Sequence, residues 1–249
     1  MPMKTHLSSG AIKVRAGSET YGYNPQGLHY QPRIGMDDYR PVHVDSKITY
    51  ESNTTEFDPK AYDSAEWCPI YQIGKTEAGG DVWFCSLNDS IDVIHEYIPL
   101  LDKLYNCTDK DAIELNISSP GGYISTATQI CTAMHACRAL VLTHASGLCA
   151  SAGSLIWSCG HEVSIGDYAN FMWHMSSHQD YGNSLQIYNE AEFQINYVRN
   201  TLLSIALKRG FITEDEVAKI CTTPDEAIYI SAEKMRERIM NLNAEGGAA

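Results

Sequence analysis

Basic residues are scarce in this chain of 249 residues. Lysine and arginine number 18 against 31 aspartates and glutamates, which gives a formal net charge of −13 at pH 7. Because the basic residues form no cluster, the sequence argues against a protein that follows the phosphate backbone of a nucleic acid. Hydrophobic residues make up 44% of the chain and charged residues 20%. This composition predicts a folded globular protein with one sizeable core rather than a disordered or fibrous chain.

No two of the eight cysteines are spaced C-x-x-C, so nothing in the sequence supports a zinc site or a thioredoxin-type motif. Most of them lie in apolar runs, which predicts reduced core thiols and a cytoplasmic compartment. We expect neither a metal nor a cofactor. The cysteines are Cys68, Cys85, Cys107, Cys131, Cys137, Cys149, Cys159 and Cys221.

Long apolar segments are also missing. The N-terminal stretch from Met1 to Gly17 contains no apolar core of the kind found in secretory signals, so we expect no such signal. The most apolar stretch, Ala139 to Trp157, is interrupted by polar residues such as Thr143, His144 and Ser151. It therefore predicts a buried strand and helix rather than a membrane span.

The N-terminal segment, residues 1–66, differs from the rest of the chain. It is rich in Tyr, Pro, Gly, Ser and Asp and shows no sustained periodicity, which predicts a partly flexible N-terminal extension. Residues 67–242 form the predicted folded domain, and residues 243–249 a flexible tail. Within the domain, strands alternate with helices, which predicts an α/β fold with parallel strand pairing.

Periodicity and capping signals locate the elements of this domain. Predicted strands are Val82 to Ser86, Ala112 to Ile117, Ala139 to His144, Glu162 to Ile165 and Asn170 to Trp173. Predicted helices begin at an N-cap within residues 88–90, follow the glycines at 121–122, and span Ala150 to Cys159 and Ser184 to Arg209. Two more begin at the capping box Thr213-x-x-Glu216 and at Ser231.

Three places in the sequence could carry chemistry. The turn from Ser118 to Gly122 joins a strand to a helix, where glycine N–H groups can hold an oxyanion, although a plain turn explains it equally well. Ser151, flanked by small residues after a strand, could be a nucleophile or simply a packing residue. His174 ends an apolar strand, where it could be a general base or a core histidine.

Taken together, the order and spacing of the three resemble the ClpP peptidase family. Ser-Pro-Gly-Gly ends at Gly122, Gly-x-x-Ala-Ser-x-Gly then contains Ser151, and an apolar strand after it ends in His174. The resemblance covers about residues 80 to 242. It implies that Ser151 is the nucleophile, that His174 is the general base, and that the N–H groups of Gly122 and Ala152 form the oxyanion hole. It also implies a crotonase-like fold of repeated β-β-α units.

The acid of a Ser-His-Asp triad is the point of departure from the family. The family's aspartate lies four residues before the Ser-Ala pair that opens the last helix, and Ala227 occupies that position here. Asp225 lies two residues earlier, so a small shift of register near Pro224 would bring its carboxylate to His174. We take Asp225 as the candidate third member; a backbone carbonyl or a water molecule is the alternative.

The resemblance further implies a serine endopeptidase that cleaves unfolded proteins or peptides inside a homo-oligomeric chamber of heptameric rings. An ATP-dependent Clp-type unfoldase would be a partner, and ATP would be used only by that partner. The polar stretch Ser176 to Ser184 and the following helix resemble the family's handle, through which two rings meet. The long N-terminal extension has no counterpart there, which makes docking to an unfoldase the least supported of these expectations.

Four other functions are compatible with the same fold, and the sequence argues against two of them. A Ser-Lys peptidase such as signal-peptide peptidase A lacks a local candidate, since no lysine occurs between Lys110 and Lys208. A crotonase-type acyl-CoA enzyme would need carboxylates after the second oxyanion turn. Ala227 keeps open a catalytically weak or inactive ring subunit with a structural role, and the unusual extension would suit a viral head-maturation protease.

Overall fold

The computed structural model describes residues 14–15, 68, 70–176 and 183–246, and these form a mixed α/β fold built on one sheet. The described strands are β1 (Val14–Arg15), β2 (Ile70–Lys75), β3 (Asp81–Leu87), β4 (Ala112–Ser119), β5 (Leu140–Ala150), β6 (Glu162–Ile165), β7 (Asn170–His174) and β8 (Ala227–Ser231). The helices are α1 (Ile98–Asn106), α2 (Ile124–Ala136), α3 (Ala152–Ser158), α4 (Ser184–Val198), α5 (Ser204–Lys208), α6 (Glu214–Thr222) and α7 (Ala232–Gly246).

The strand order is β1-β6-β5-β4-β3-β2, with β7 beside the second half of β5 and β8 beside β7. The predicted parallel pairing is confirmed for β3 with β4, β4 with β5, and β5 with both β6 and β7. The pairs β2 with β3 and β7 with β8 are antiparallel, and neither β2 nor β8 was among the predicted strands. The short turn between β2 and β3 allows antiparallel pairing, because parallel strands need a longer crossover connection.

The two halves of strand β5 pair with different strands on one side. Residues 142–145 pair with β6, whereas residues 148–150 pair with β7. Gly147 lies between these halves, and a Cβ there would come within 2.6 Å of Ser118 Oγ. The end of β5 therefore leaves β6 and runs beside β7, while Cys149 still pairs with Ser119 of β4, so that the residue after β5 and the end of β7 come close together.

The core lies on one face of the sheet and is centred on α3, all seven of whose residues are buried. Trp157 packs against Phe171 and Phe211 at ring-centroid distances of 4.4 and 4.6 Å. The buried Arg209 guanidinium donates to the carbonyl oxygens of Ser158 and Gly160, satisfying acceptors at the end of this helix. This packing supports the segment on which Ser151 lies.

The eight cysteines are all free thiols, and seven of them are buried, with only Cys221 partly exposed. Among the described residues, no group of three or more His, Cys, Asp or Glu side chains is arranged to hold a metal ion. That the protein needs neither a metal nor a cofactor stays a prediction. The described chain also contains no helix that is both long and apolar enough to cross a membrane.

Three predicted boundaries were wrong. No helix begins at residues 88–90: the Ile91 backbone bonds to the turn at Gly121 to Tyr123, so a 3-10 helix begins only at residue 94 and α1 at residue 98. Strand β5 extends beyond His144 because β7 provides a partner for its second half. Helix α3 accordingly begins at Ala152 rather than Ala150.

Other local predictions were confirmed. The capping box of Thr213 and Glu216 is present at the start of α6. The long helix predicted from Ser184 consists of α4, a π-helical turn and α5, and ends at Lys208 before Gly210. Strand β2 was not predicted. The division into extension, domain and tail stays a prediction; residues 1–66 other than 14–15, and residues 177–182, lie outside the described structure.

Candidate active site

Ser151 lies between β5 and α3 in a strained backbone conformation. Its φ of 53° and ψ of −120° belong to a region that residues with a side chain rarely occupy. The conformation is held from both sides, because the Ser151 N–H donates to the Met172 carbonyl at 2.8 Å and its own carbonyl accepts from Leu155. The strain places the half-buried side chain at the junction between strand and helix.

His174 ends β7 and contacts this serine. Its Nε2 lies 3.0 Å from Ser151 Oγ, within hydrogen-bond reach of a nucleophile and its base. Burial lowers the pKa of the half-buried imidazole below its ordinary value. The ring is therefore neutral at neutral pH, and a neutral ring can accept the serine proton.

Cys149, two residues before Ser151, does not compete as a nucleophile. Its side chain is fully buried, and this burial raises the pKa of the thiol well above its ordinary value. A protonated, inaccessible thiol has little nucleophilic character, since the thiolate is the reactive form. Of the two side chains, Ser151 is the one that is partly exposed.

The glycine-rich turn lies directly beside the serine. A Cβ added to Gly121 would come within 2.6 Å of Ser151 Cβ and 2.8 Å of the Ala150 carbonyl oxygen. Gly121 and Gly122 both have positive φ, at 101° and 148°. Only glycine therefore combines this close approach with these backbone angles.

The backbone N–H groups of the glycine-rich turn and of the residue after Ser151 differ in their hydrogen bonds. Gly121 N–H donates to Ser119 Oγ at 3.1 Å, whereas the contacts of the described residues include no acceptor for the N–H groups of Gly122 and Ala152. Gly122 is exposed, and Ala152 follows the nucleophile directly. Donors of this kind stabilise the charge of a tetrahedral intermediate when they point at its oxygen.

Ala227 lies opposite His174, where β7 and β8 pair. Its methyl group cannot orient an imidazole. Asp225 lies outside β8 in the turn around Pro224, is exposed, and has a φ of 58°. Within the described residues no hydrogen bond joins Asp225 to His174, so its role as the third member of a triad stays a prediction.

Sequence reasoning missed the residues that support the site. Ser154 Oγ lies 2.6 Å from the Cys149 carbonyl oxygen and 2.9 Å from that of Met172, and so holds the end of β5 against β7. Ser119 and the segment around Ile91 bond to the glycine-rich turn. No spacing pattern indicates these contacts. For Gly121 the sequence did give a signal, because it is the first residue of the glycine pair in the predicted turn.

A family model described as Clp protease matches residues 88–244, which include the glycine-rich turn, Ser151 and His174. The chain belongs to the Clp protease family. This match confirms the resemblance seen in the sequence, and the mixed α/β architecture agrees with the predicted fold class. The Clp protease family is a family of peptidases. A search of curated proteins found no match to the chain.

Proposed function

We propose that this Clp-family chain is a serine endopeptidase that hydrolyses peptide bonds of unfolded proteins or peptides. The observation that carries the proposal is the 3.0 Å contact between His174 Nε2 and Ser151 Oγ, beside a turn that only glycine can form. Their contact gives the weakly nucleophilic hydroxyl a base.

In the proposed reaction, Ser151 Oγ attacks the carbonyl carbon of the scissile bond while His174 Nε2 takes the hydroxyl proton. The N–H groups of Gly122 and Ala152 donate to the oxyanion of the tetrahedral intermediate. When the intermediate collapses, the C–N bond breaks and His174 gives its proton to the leaving amine. A water molecule, activated by the same imidazole, then hydrolyses the acyl-enzyme and restores the serine.

Labelling with a fluorophosphonate tests this proposal, because the probe reacts with activated serines. We expect mass spectrometry to find the label on Ser151 in the full-length chain and to find none in Ser151→Ala or His174→Ala. Ser125→Ala, which removes an exposed serine on α2, is the matched control and should keep full labelling. Persistent labelling of His174→Ala would overturn the role of the base.

Asp225 is proposed as the residue that orients His174, and Asp225→Asn tests it. Asparagine tolerates the positive φ at this position, so the backbone of the turn should not change. Turnover should fall at least about tenfold if the carboxylate orients the imidazole during catalysis. Glu226→Gln, at the next position, is the control. Equal turnover of the two variants would leave Ser151 and His174 as a dyad.

An oligomeric chamber is the second part of the proposal, and α4 supports it. Val198 is the only buried residue of this helix, while Leu185, Tyr188 and Phe193 are 68%, 65% and 59% exposed. Such an apolar surface needs a covering partner, and the family resemblance suggests a second copy in heptameric rings. Analytical ultracentrifugation of the full chain and of Leu185→Glu/Tyr188→Glu tests this; a monomeric wild-type chain would overturn it. An unfoldase partner rests on the resemblance alone.

Ala227 favours a second candidate, a catalytically inactive ring subunit with a structural role. In that case the chain would assemble, yet Ser151 would remain unlabelled. Mixing it with an active Clp-type subunit and finding both in one ring would support this candidate, whereas label on Ser151 of the pure chain would exclude it.

A further inference from the structure

Residues 89–92, between β3 and the 3-10 helix, form a support for the glycine-rich turn. The Ile91 N–H donates to the Gly121 carbonyl at 2.7 Å, and the Ile91 carbonyl accepts from the Tyr123 N–H at 2.7 Å. Ile91 and Gly122 thereby form a parallel β-bridge. A Cβ on Gly122 would come within 2.2 Å of the Ile91 carbonyl oxygen, so the two backbones are in direct contact.

This bridge determines where the Gly122 N–H points. In a trans peptide the C=O and the following N–H point in opposite directions, and the described residues contain no cis peptide. Because the Gly121 C=O points at Ile91, the Gly122 N–H points away from the 89–92 segment. The neighbouring Gly121 lies against Ser151, and the contacts of the described residues include no acceptor for the Gly122 N–H.

Two buried hydroxyl groups hold the 89–92 segment in place. Tyr97 Oη donates to the Ser90 carbonyl at 3.1 Å and accepts from the Asp92 N–H at 3.2 Å. Ser119 Oγ donates to the Asp89 carbonyl at 2.6 Å and accepts from the Gly121 N–H at 3.1 Å. Tyr97 thus fixes the segment from outside, and Ser119 ties it to the turn.

We propose that Tyr97 and Ser119 are positioning residues for the oxyanion hole, acting through the backbone of residues 89–92 on the Gly122 N–H. The inference deepens the proposed peptidase function and rests on it. Neither side chain touches the reacting atoms. Tyr97 is 5% exposed and Ser119 fully buried, so no substrate contact accounts for them.

The Tyr97 hydroxyl stays protonated throughout the working range. Burial raises the pKa of this phenol to about 12. Loss of its hydrogen bonds should therefore lower the rate equally at each pH at which His174 is neutral. A lower maximal rate with an unchanged acid midpoint in the pH–rate profile would separate this role from a change in the pKa of the general base.

The test uses the full-length chain with Tyr97→Phe, Ser119→Ala and the double variant. Tyr105→Phe, an exposed tyrosine on α1, and Ser125→Ala are matched controls. For each single variant we expect the rate of fluorophosphonate labelling of Ser151, and kcat for a fluorogenic peptide, to fall about tenfold, since a misdirected oxyanion donor loses part of its effect. KM and the acid midpoint of the pH profile should not change.

The double variant checks that the two hydroxyls act on one element. Because both hold the same segment, its loss of rate should be smaller than the product of the two single losses. If the loss in the double variant equals the product of the two single losses, the two hydroxyls act independently, and the shared mechanism is overturned. If Tyr97→Phe fails to fold, Ser119→Ala approaches the same segment from the other side and still decides the question.

Amide hydrogen exchange on the same samples keeps this inference distinguishable from the proposed function. We expect faster exchange of the peptide covering residues 119–123 in both variants, whether or not Ser151 reacts. An unlabelled wild-type chain overturns the proposed function, while the exchange result stands by itself. Unchanged exchange in both variants, or faster exchange with unchanged labelling of a reactive Ser151, overturns the positioning role.

Discussion

His174 of β7 lies opposite Ala227 of β8, at the end of the antiparallel pair. A carboxylate at this position would extend toward the imidazole, while alanine leaves only a methyl group. The base of the proposed reaction therefore lacks a carboxylate partner at the residue across the strand. Any carboxylate that orients His174 must therefore come from another position, such as Asp225.

The first prediction concerns position 227. Ala227→Asp should raise kcat for a peptide substrate about tenfold or more, because a carboxylate stabilises the imidazolium that forms on proton transfer. Tyr229→Asp is the matched control: it adds the same charge on the same face of β8, but opposite Met172. No gain in Ala227→Asp, measured by fluorogenic hydrolysis, would show that another group already orients the ring.

The pH dependence of the reaction follows from the burial of His174. Burial lowers the pKa of the imidazole, so the neutral form needed for catalysis persists below the ordinary value of about 6.5. As pH falls through the lowered pKa, the ring gains a proton and the rate should decrease. We therefore expect the acid midpoint of kcat/KM below about 6.5, and a higher midpoint in Ala227→Asp. A wild-type midpoint above this ordinary value would contradict the effect of burial.

Backbone strain at Ser151 predicts that the residue needed for activity lowers the stability of the fold. Glycine adopts a φ of 53° with a ψ of −120° without steric cost, whereas alanine keeps the strain of the serine. Ser151→Gly should unfold at a higher urea concentration than Ser151→Ala, with a difference of about 1 kcal/mol in the free energy of unfolding. Both variants should be inactive. Equal or lower stability of the glycine variant would mean that the strain does not exceed the extra conformational entropy that glycine loses on folding.

Gly121 allows a fourth prediction with a built-in control. Gly121→Ala should abolish labelling of Ser151, because its Cβ would lie 2.6 Å from Ser151 Cβ. Gly79 also has a positive φ, at 81°, but a Cβ there would meet nothing within 4 Å. Gly79→Ala thus reproduces the backbone strain without the contact and should retain labelling. Equal loss in both variants would assign the effect to backbone strain alone.

Much of the local structure was predictable because its causes lie close together in the chain. The capping box of Thr213 and Glu216 needs only its own side chains and the N–H groups of one helical turn. The end of the long helix before Gly210 is equally local. The start of α1 was not predictable, because the Asn-Asp-Ser signal at 88–90 is overridden by hydrogen bonds from Ile91 to the glycine-rich turn, which lies beyond α1 and β4 in the sequence.

Strand β5 shows the same limit in the sheet. Its apolar first half was predicted, but residues 148–150 become a strand because β7 pairs with them and β4 pairs with Cys149. Propensity reports how a residue suits a conformation, whereas a strand also needs a partner, and that partner comes from elsewhere in the chain. Strand β2 was missed for a related reason, since among the described strands it lies at the edge of the sheet and pairs with β3 alone.

By itself, the sequence determined the types of chemistry available to this protein and their order along the chain: the glycine-rich turn, Ser151 and then His174. The presence of a nucleophilic hydroxyl, of a basic imidazole and of the backbone freedom of glycine depends on the residue type alone. Only the tertiary structure decided which groups meet. Packing of β7 against the end of β5 brings His174 to Ser151, the bridge from Ile91 directs the Gly122 N–H, and the register of β8 places Ala227 across from the base. Hydrogen bonds act only over about 3 Å, so each of these relationships depends on the folded chain rather than on its sequence spacing.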